Sequence, residues 1–293
     1  MSINKLKGRP AFPFETIAVA IAFSPRLEAI LSESKRIIDV LKSNLILIHV
    51  GEKTSEKEEQ LDQLMSKFNY DKNANRIIWM DGDPVETILE LCKLNIVDLL
   101  ILGALEKENI LKYYLSSIAR SISRKAKCSV LLLTSPSNEE DKVKKIIVNG
   151  TDNPKTIHTL NTALYMAKKF NVKEIKVVKE IDTSALAMTM ADDSTKPQAN
   201  KIKKDFNDNE SKRLHSIVER SNPESVKVNE RIIGGKPGYA ISKYARDKNA
   251  DLLVINSPDT HLNLLDRIFT HDIEYILADL PCDVLIVHSR VNS

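Results

Sequence analysis

The strongest constraint in this sequence is an internal repeat. Residues 82–104 align with residues 235–257 at a constant offset, and residues 116–135 align in the same way with residues 270–289. The first pair shares a Gly-x-Pro turn, a helical pattern and an Asp-Leu-Leu start to an apolar strand. The second pair shares a helical pattern, a cysteine and a final apolar strand. A match of this length indicates that one structural unit is present twice.

Each copy opens with a strand that leads into a helix. In the first copy a short β-rich run ends at Ser24-Pro25, and apolar residues at helical spacing follow. This pattern predicts a helix cap at Ser24 with Pro25 in the first helical position. Residues 145–154 repeat the arrangement, with Asn153 as the predicted cap.

The remaining strands predict the fold class. Five short apolar runs alternate with helical patterns in each copy, at about 16–21, 45–50, 76–80, 98–102 and 129–133, and then at about 145–148, 174–178, 226–233, 251–255 and 283–288. Such alternation favours a parallel sheet covered on both faces. We therefore expect an α/β protein with two doubly wound five-stranded domains, at residues 1–137 and 143–293. The link at 135–145 is short and polar, so we expect the domains to pack closely.

One segment departs from the repeat. Residues 180–225 are longer than their counterpart in the first copy, and residues 191–205 show no apolar periodicity. We expect a flexible or partly helical excursion there, with a lid over the second crevice as one hypothesis. One further helix fits the apolar residues Phe206, Leu214, Ile217 and Val218.

Composition excludes several function classes. A formal net charge of +3 over 293 residues gives no electrostatic support for a dedicated nucleic-acid binder. No run of about 18 apolar residues is present and the N-terminus does not resemble a signal peptide, so we expect a cytoplasmic protein without a membrane segment. The 3 cysteines and 6 histidines lack the spacings of redox or metal sites, and we expect buried thiols and no bound metal.

The predicted topology also places the candidate ligand site. In an open parallel sheet, ligands bind beyond the carboxyl ends of the strands where the strand order reverses. The loops that follow the first and fourth strands of each copy meet this condition. They comprise 22–24 and 103–117 in the first copy, and 151–153 and 256–271 in the second.

These motifs together resemble the universal stress protein family. The likeness rests on the small turn after the first strand, Gly-Asp-Pro before the third helix, Asp-Leu-Leu-Ile-Leu-Gly, and a terminal Cys-x-Val-Leu-Leu-Leu strand, all in this order and duplicated. The resemblance implies the sheet order 3-2-1-4-5 in each half. It also implies an intramolecular pseudo-dimer, in which the last strands pair through 130–133 and 284–287.

One branch of that family binds ATP through Gly-x2-Gly-x9-Gly-(Ser/Thr) after the fourth strand and an aspartate after the first. The corresponding residues of the first half are Gly103, Glu106, Ser116 and Ser117, with Ala22 at the aspartate position and with Ser24 and Gly82 in the neighbouring turns. Glycines let backbone amides approach phosphates, and a helix N-terminus favours negative charge. Alanine cannot accept a hydrogen bond from a ribose or an adenine, and Glu106 would place a carboxylate near the phosphates.

The second half departs further from the same pattern. Its equivalents are about Asn256, Asp259, Thr270 and His271, with one residue of freedom in the alignment. Thr151 stands at the aspartate position, and the adjacent Asp152 could substitute for it after a small shift.

Several of these residues have a purely structural alternative. Ser116, Ser117 and Thr270 could cap the following helices, since any strand-to-helix connection needs small polar residues. For Ser117 a cap and a ligand contact are equally compatible with the sequence, whereas Thr270 fits a cap better. His271 fits a helix start better than a phosphate contact.

These considerations lead to two main hypotheses. The first is a stress-associated, non-enzymatic binding or interaction protein with degenerate nucleotide-binding motifs, for which other proteins and a second copy of the chain are both candidate partners. The alternative is a sensor that binds ATP or another adenine nucleotide in the first half through Gly82, Gly103, Ser116 and Ser117. A weak nucleotide hydrolase has the least support, because the sequence offers no residue to position water or magnesium.

Overall fold

The computed structural model describes residues 11–71, 75–106, 113–136, 143–182, 196–221, 223–258 and 270–288. Within these ranges, only the backbone is described for 105–106, 113–114, 196–203 and 270–272. The chain divides into two compact units, one of Met1–Lys142 with Asp283–Ser293 and the other of Val143–Cys282. The last strand of the second repeat therefore lies in the first unit.

Strands and helices alternate along the first repeat, as the apolar pattern predicts. In chain order they are β1 (Thr16–Ala20), α1 (Leu27–Leu41), β2 (Asn44–Val50), α2 (Ser55–Lys67), β3 (Arg76–Met80), α3 (Pro84–Leu94), β4 (Leu99–Gly103), β5 (Leu105–Glu106), β6 (Tyr113–Tyr114), α4 (Ser117–Lys125) and β7 (Ser129–Leu133). The two-residue strands β5 and β6 form an antiparallel pair inside the predicted loop at 103–117, where no strand was predicted.

The second repeat follows the same order. It contains β8 (Ile146–Asn149), α5 (Thr156–Lys169), β9 (Glu174–Ile181), α6 (Lys196–Ser221), β10 (Lys227–Gly234), α7 (Tyr239–Asp247), β11 (Leu252–Asn256), α8 (Thr270–Ala278) and β12 (Asp283–Val287). Helix α6 includes residues 196–205, part of the segment without apolar periodicity. Alanine, glutamine and lysine favour a helix there without an apolar face.

The first unit is built on a mainly parallel sheet in the order β3-β2-β1-β4-β7-β12. Strands β1 to β4 and β7 pair in parallel, whereas β12 pairs with β7 in antiparallel fashion, with Leu285 opposite Leu131. All five residues of β7 and of β12 are buried. Helix α1 packs against α2, and α3 packs against α4.

The second unit is a parallel sheet in the order β10-β9-β8-β11. Helix α5 packs against α6, and α7 packs against α8. Strands β8 and β11 are mainly apolar and buried at successive positions, as expected for strands covered on both faces. The α/β class with mostly parallel strands and two units is thus confirmed. Among the helices that the structure describes, none is both long enough and apolar enough to cross a membrane.

Candidate functional site

The turn after β1 lies at the carboxyl edge of the first sheet, as predicted, but its helix begins later. The predicted cap at Ser24 is wrong, because α1 starts at Leu27 and Arg26 is its capping residue, without a side-chain cap. The carbonyl of Ser24 instead accepts a hydrogen bond from the Leu27 N–H at 3.0 Å, which closes a turn before the helix. The side chains of Ala22 and Ser24 are both exposed at this turn.

Gly103 ends β4 directly beneath helix α1. A Cβ atom at this position would lie 2.6 Å from Cδ1 of Ile30, which is far inside van der Waals contact. The glycine therefore permits the close approach of α1 to the sheet, whatever binds at the edge. Packing against Ile30 therefore explains why a glycine stands at position 103, even without a bound phosphate.

We expect Gly103→Asn to destabilise the protein by about 2 kcal/mol, the usual cost of overpacking a core. In the second repeat, Thr159 and Asn256 stand at the positions of Ile30 and Gly103, and their side chains form a hydrogen bond. Adding Ile30→Thr should therefore recover part of the loss. Urea denaturation of both single variants and the double variant measures the coupling. Simple additivity of the two effects would contradict this account.

Two further candidate residues of the first half, Gly82 and Ser116, also have structural roles. Gly82 has a φ of 137°, and a Cβ there would lie 2.8 Å from Oγ1 of Thr87. The next residue, Asp83, caps α3 by accepting from the Glu86 N–H at 2.9 Å. Ser116 caps α4 by accepting from the Ala119 N–H at 3.1 Å, whereas Ser117 is exposed as the first residue of that helix.

An aromatic cluster of Phe23, His49 and Trp79 lies where β1, β2 and β3 end. The Phe23 and Trp79 rings stack with centroids 5.7 Å apart and planes 18° apart, and both are half-buried. His49 meets each ring edge-on, at 4.9 Å and 5.0 Å. The Nζ atoms of Lys57 and Lys53 lie over the Phe23 and Trp79 rings, at 5.7 Å and 5.9 Å respectively.

The buried His49 ring is held from one side only. Its Nδ1 lies 3.1 Å from the carbonyl of Ile21, so this nitrogen carries the proton. Its Nε2 is buried without a hydrogen-bond partner among the residues that the structure describes. The cluster is thus apolar toward the sheet and flanked by lysine charges toward the surface.

Backbone hydrogen bonds fix which residues of the second half are equivalent. The Ile21 N–H donates to Ile48 at 2.9 Å, and the Gly150 N–H donates to Val178 at 2.8 Å, where each first strand ends. The next residues therefore correspond, so Asp152 occupies the position of Phe23 and Lys179 occupies the position of His49. Sequence comparison of the repeats at equal offset does not show this correspondence, because the excursion shifts the register.

Lys179 forms the centre of an ion-pair network in the second half. Its Nζ bonds to Oδ2 of Asp152 at 2.5 Å and to Oε2 of Glu210, which comes from α6. The Lys179 and Glu210 side chains are only 5% and 8% exposed. Arg213 lies 2.9 Å from Glu210 and 4.0 Å from Asp152 at the outer side. Helix α6 thus covers this crevice and supplies the carboxylate that neutralises the buried lysine.

Helix α6 is also held against the edge strand β10. His215 of α6 lies 2.8 Å from Oε1 of Glu230. The hydrogen bond to Glu230, the charge of that carboxylate and then the charge of Glu219 raise the pKa of His215 above its ordinary value. The protonated ring is therefore stabilised between two carboxylates.

Asn256, the counterpart of Gly103, is fully engaged within the protein. Its Nδ2 donates to Thr151 and Thr156 at 3.0 Å each, and its Oδ1 accepts from Thr159. These bonds tie the start of α5 to the ends of β8 and β11. Asn153 does not cap α5 as predicted, because its Oδ1 accepts from the Lys155 N–H at 2.8 Å in a local turn and the helix starts at Thr156.

The helix that follows β10 is capped from a distance. The Gly238 and Ile241 N–H groups donate to the Glu180 carboxylate at 3.0 Å and 2.7 Å. In the first half the corresponding helix carries its own cap, Asp83. The N-terminus of α7 is therefore already occupied by a carboxylate of the same unit.

For four of the residues aligned with the nucleotide-binding motif, the structure describes no side chain. Thr270 and His271 lie at the start of α8, where only the backbone is described, and the Glu106 side chain and Asp259 lie outside the described residues. Among the described side chains, no group of three or more His, Cys, Asp or Glu residues could hold a metal ion.

The three cysteines are buried free thiols. Cys92 and Cys128 contact each other through a hydrogen bond although they are far apart in the sequence. That hydrogen bond, together with burial, raises the pKa of the Cys92 thiol well above its ordinary value. A thiol in this state is a poor nucleophile.

Three residues at the carboxyl edges were not singled out from the sequence. Arg26 donates to the carbonyls of Ala104 and Thr134, Lys179 is buried between carboxylates, and Asp283 accepts from Thr134. Their partners are distant in sequence, and two of the three bind backbone atoms. A charged residue inside an apolar strand, such as Lys179 in β9, was the one available signal.

Comparisons with known proteins agree with the fold and the repeat. A sequence model described as "Universal stress protein family" matches residues 49–134 and again residues 142–288. Universal stress protein MJ0531 of Methanocaldococcus jannaschii is 24% identical over 151 residues, which are 51% of this chain and 85% of that protein.

Solved structures give the same result at full length. A protein of unknown function from Pseudomonas aeruginosa PAO1 matches with a TM-score of 0.68 at 17% identity, covering 94% of this chain and 93% of that chain. A universal stress protein from Archaeoglobus fulgidus matches with a TM-score of 0.66 at 15% identity, covering 94% and 97%. At these identities the similarity concerns the fold.

Proposed function

Because the chain belongs to the universal stress protein family, we propose that it is a stress-associated, non-enzymatic binding protein with one ligand-competent crevice. That crevice lies in the first half and takes an adenine nucleotide. The crevice of the second half is closed by the protein's own ion pairs and hydrogen bonds.

The observation that carries this proposal is the difference between equivalent positions of the two halves. Where the first half has the half-buried Phe23 and the buried His49, the second half has Asp152 and Lys179 joined in an ion pair. A stacked aromatic surface is a sequence-tolerant platform for a nucleobase. A lysine already paired with two carboxylates has no charge left to offer a phosphate.

The second crevice is further closed by neutral contacts. The amide nitrogen and the amide oxygen of Asn256 form hydrogen bonds with three threonines of the same unit. A nucleotide could enter only by breaking contacts that hold α5 and α6 in place.

The first crevice keeps exposed polar groups and a half-buried aromatic pair. Ser24 and Ser117 are exposed, and Lys57 and Lys53 lie over the Phe23 and Trp79 rings. Lys53 is paired with Glu58 at 2.6 Å, so a purine that displaced Lys57 and stacked on Phe23 would have Lys57 as the nearby cation for its phosphates. The resemblance to the ATP-binding branch of the family supplies the expectation that the base is adenine.

Titration calorimetry of the full-length protein with ATP, ADP and AMP tests this function. We expect saturable binding with one site per chain, and no phosphate release over the same period. Phe23→Leu keeps an apolar side chain but removes a stacking face, and should weaken binding about tenfold. Asp152→Asn, at the equivalent position of the second half, should bind as the unmodified protein does.

Three results would contradict the proposal. They are two sites per chain, loss of binding in Asp152→Asn rather than in Phe23→Leu, or steady release of phosphate. Complete absence of binding would favour the second candidate function, a protein-interaction module without nucleotide.

That second candidate has its own support. Several candidate residues of the first half have structural roles, since Gly103 accommodates Ile30, Gly82 accommodates Thr87 and Ser116 caps α4. Retention of these residues therefore does not require a ligand.

A further inference from the structure

Arg26 holds a positive charge at the carboxyl edge of the first sheet. It immediately precedes α1 and is half-buried. Its Nη1 donates to the carbonyl of Ala104, and its Nη2 donates to the carbonyl of Thr134 at 2.5 Å. These carbonyls follow β4 and β7, so the guanidinium spans the ends of two adjacent strands.

The charge of Arg26 is not neutralised by a described carboxylate. No ion pair among the described side chains includes Arg26, although neighbouring residues of α1 such as Glu28 and Glu33 have cationic partners of their own. Carbonyl oxygens accept hydrogen bonds but carry no net charge. A guanidinium has five N–H donors, and the two carbonyls use one donor on each terminal nitrogen. Among the described residues, donors and the charge of Arg26 thus remain for another group.

The chain that leads into helix α4 returns beside the chain that leaves β4. In the β5–β6 pair, Leu105 is opposite Tyr114, and Leu105 follows Ala104, whose carbonyl accepts from Arg26. Two residues after Tyr114 is Ser116, the cap of the nine-residue helix α4. The helix dipole adds a partial positive charge at this point.

We infer that Arg26 is an oxyanion-binding residue of the first crevice. Its ligand is a phosphate-type anion, which the guanidinium contacts through its remaining N–H donors while the two carbonyls fix its orientation. This inference deepens the proposed function by assigning a residue to the phosphates, yet it requires only the anion and no nucleobase. The source of the anion, a nucleotide or a free phosphate chain, is decided by the experiment.

The second half offers a matched control position. Lys155 precedes α5 as Arg26 precedes α1, and its N–H donates to Oδ1 of Asn153 in a local turn. Lys155→Gln removes one positive charge from the protein, as Arg26→Gln does, without touching the first crevice.

Thermal unfolding of the full-length protein with sodium tripolyphosphate, against sodium chloride of equal ionic strength, provides the test. We expect a saturable rise in Tm for the unmodified protein and for Lys155→Gln, and none for Arg26→Gln. Arg26→Gln should also lower the Tm without ligand, because two hydrogen bonds to strand ends are lost. Arg26→Lys is the alternative variant if Arg26→Gln does not fold. Lysine keeps the charge, and we expect a rise in Tm that is smaller than that of the unmodified protein.

The same titration with ATP and adenosine separates this inference from the proposed function. A tripolyphosphate response that needs Arg26, with ATP no better than tripolyphosphate, supports the anion site and overturns the adenine-nucleotide function. ATP binding that is unchanged in Arg26→Gln supports the nucleotide function and overturns the role of Arg26. No response of the unmodified protein to tripolyphosphate, or an equal response in Arg26→Gln, also overturns it.

Discussion

Replacing Glu210 by alanine is expected to destabilise the second unit by about 3 kcal/mol. The Lys179 ammonium is 5% exposed, and Glu210 is its buried partner. Without that carboxylate, a desolvated charge would depend on Asp152 alone, whose side chain is 47% exposed. The remaining pair places the expected loss at the lower end of the range for breaking a buried ion pair.

Urea denaturation gives the measurement, and two further variants identify the cause. Arg213 is 66% exposed and binds the same carboxylate, so Arg213→Ala should cost less than about 1 kcal/mol. The double variant Lys179→Met with Glu210→Leu removes both buried charges and should recover most of the stability. If Glu210→Ala unfolded at the same urea concentration as the unmodified protein, the network would not hold α6.

The second large effect is expected for Asp283→Ala, at about 3 kcal/mol in the first unit. Asp283 opens β12 and is 4% exposed. Its Oδ1 accepts from both the N–H and the hydroxyl of Thr134, each at 2.8 Å, just beyond the end of β7. Removal of the carboxylate would leave these buried donors without that acceptor, and hydrogen bonds to charged groups contribute more than neutral ones.

The opposite end of the same strand pair provides the control. There the His288 N–H donates to the hydroxyl of Ser129 at 3.2 Å, a longer bond to a neutral acceptor. Ser129→Ala should therefore cost about 1 kcal/mol or less. Chemical denaturation of both variants compares them directly. A larger loss for Ser129→Ala than for Asp283→Ala would show that the carboxylate does not dominate this contact.

The sequence predicted the strands well because each is a continuous apolar run. All ten predicted strands are present, and their ends differ from the predicted ends by a few residues at most. It could not predict β5 and β6, since two-residue strands have no measurable periodicity. It also placed the start of helix α6 too late, because residues 196–205 favour a helix through propensity without an apolar face.

The site was harder to predict because its contacts join residues far apart in sequence. Gly103 resembled a phosphate-loop glycine, and only the approach of Ile30 shows its packing role. Asn256 corresponds to Gly103 in the sequence as well, but only the structure shows that Ile30 contacts Gly103 and that Thr159 bonds to Asn256 at the equivalent positions. Arg26 binds carbonyl oxygens, and no side-chain pattern reveals such partners.

Because β12 belongs to the first unit, a gene split between the two repeats would separate this strand from its partner β7. The first repeat ends before β8, but the first unit takes a strand from the far end of the chain. A gene split between the repeats would produce a first product whose strand β7 exposes the edge that β12 now occupies. Such an edge promotes association with other chains. Each separated half would therefore need a partner for its exposed strand, either the other half or a second copy of itself.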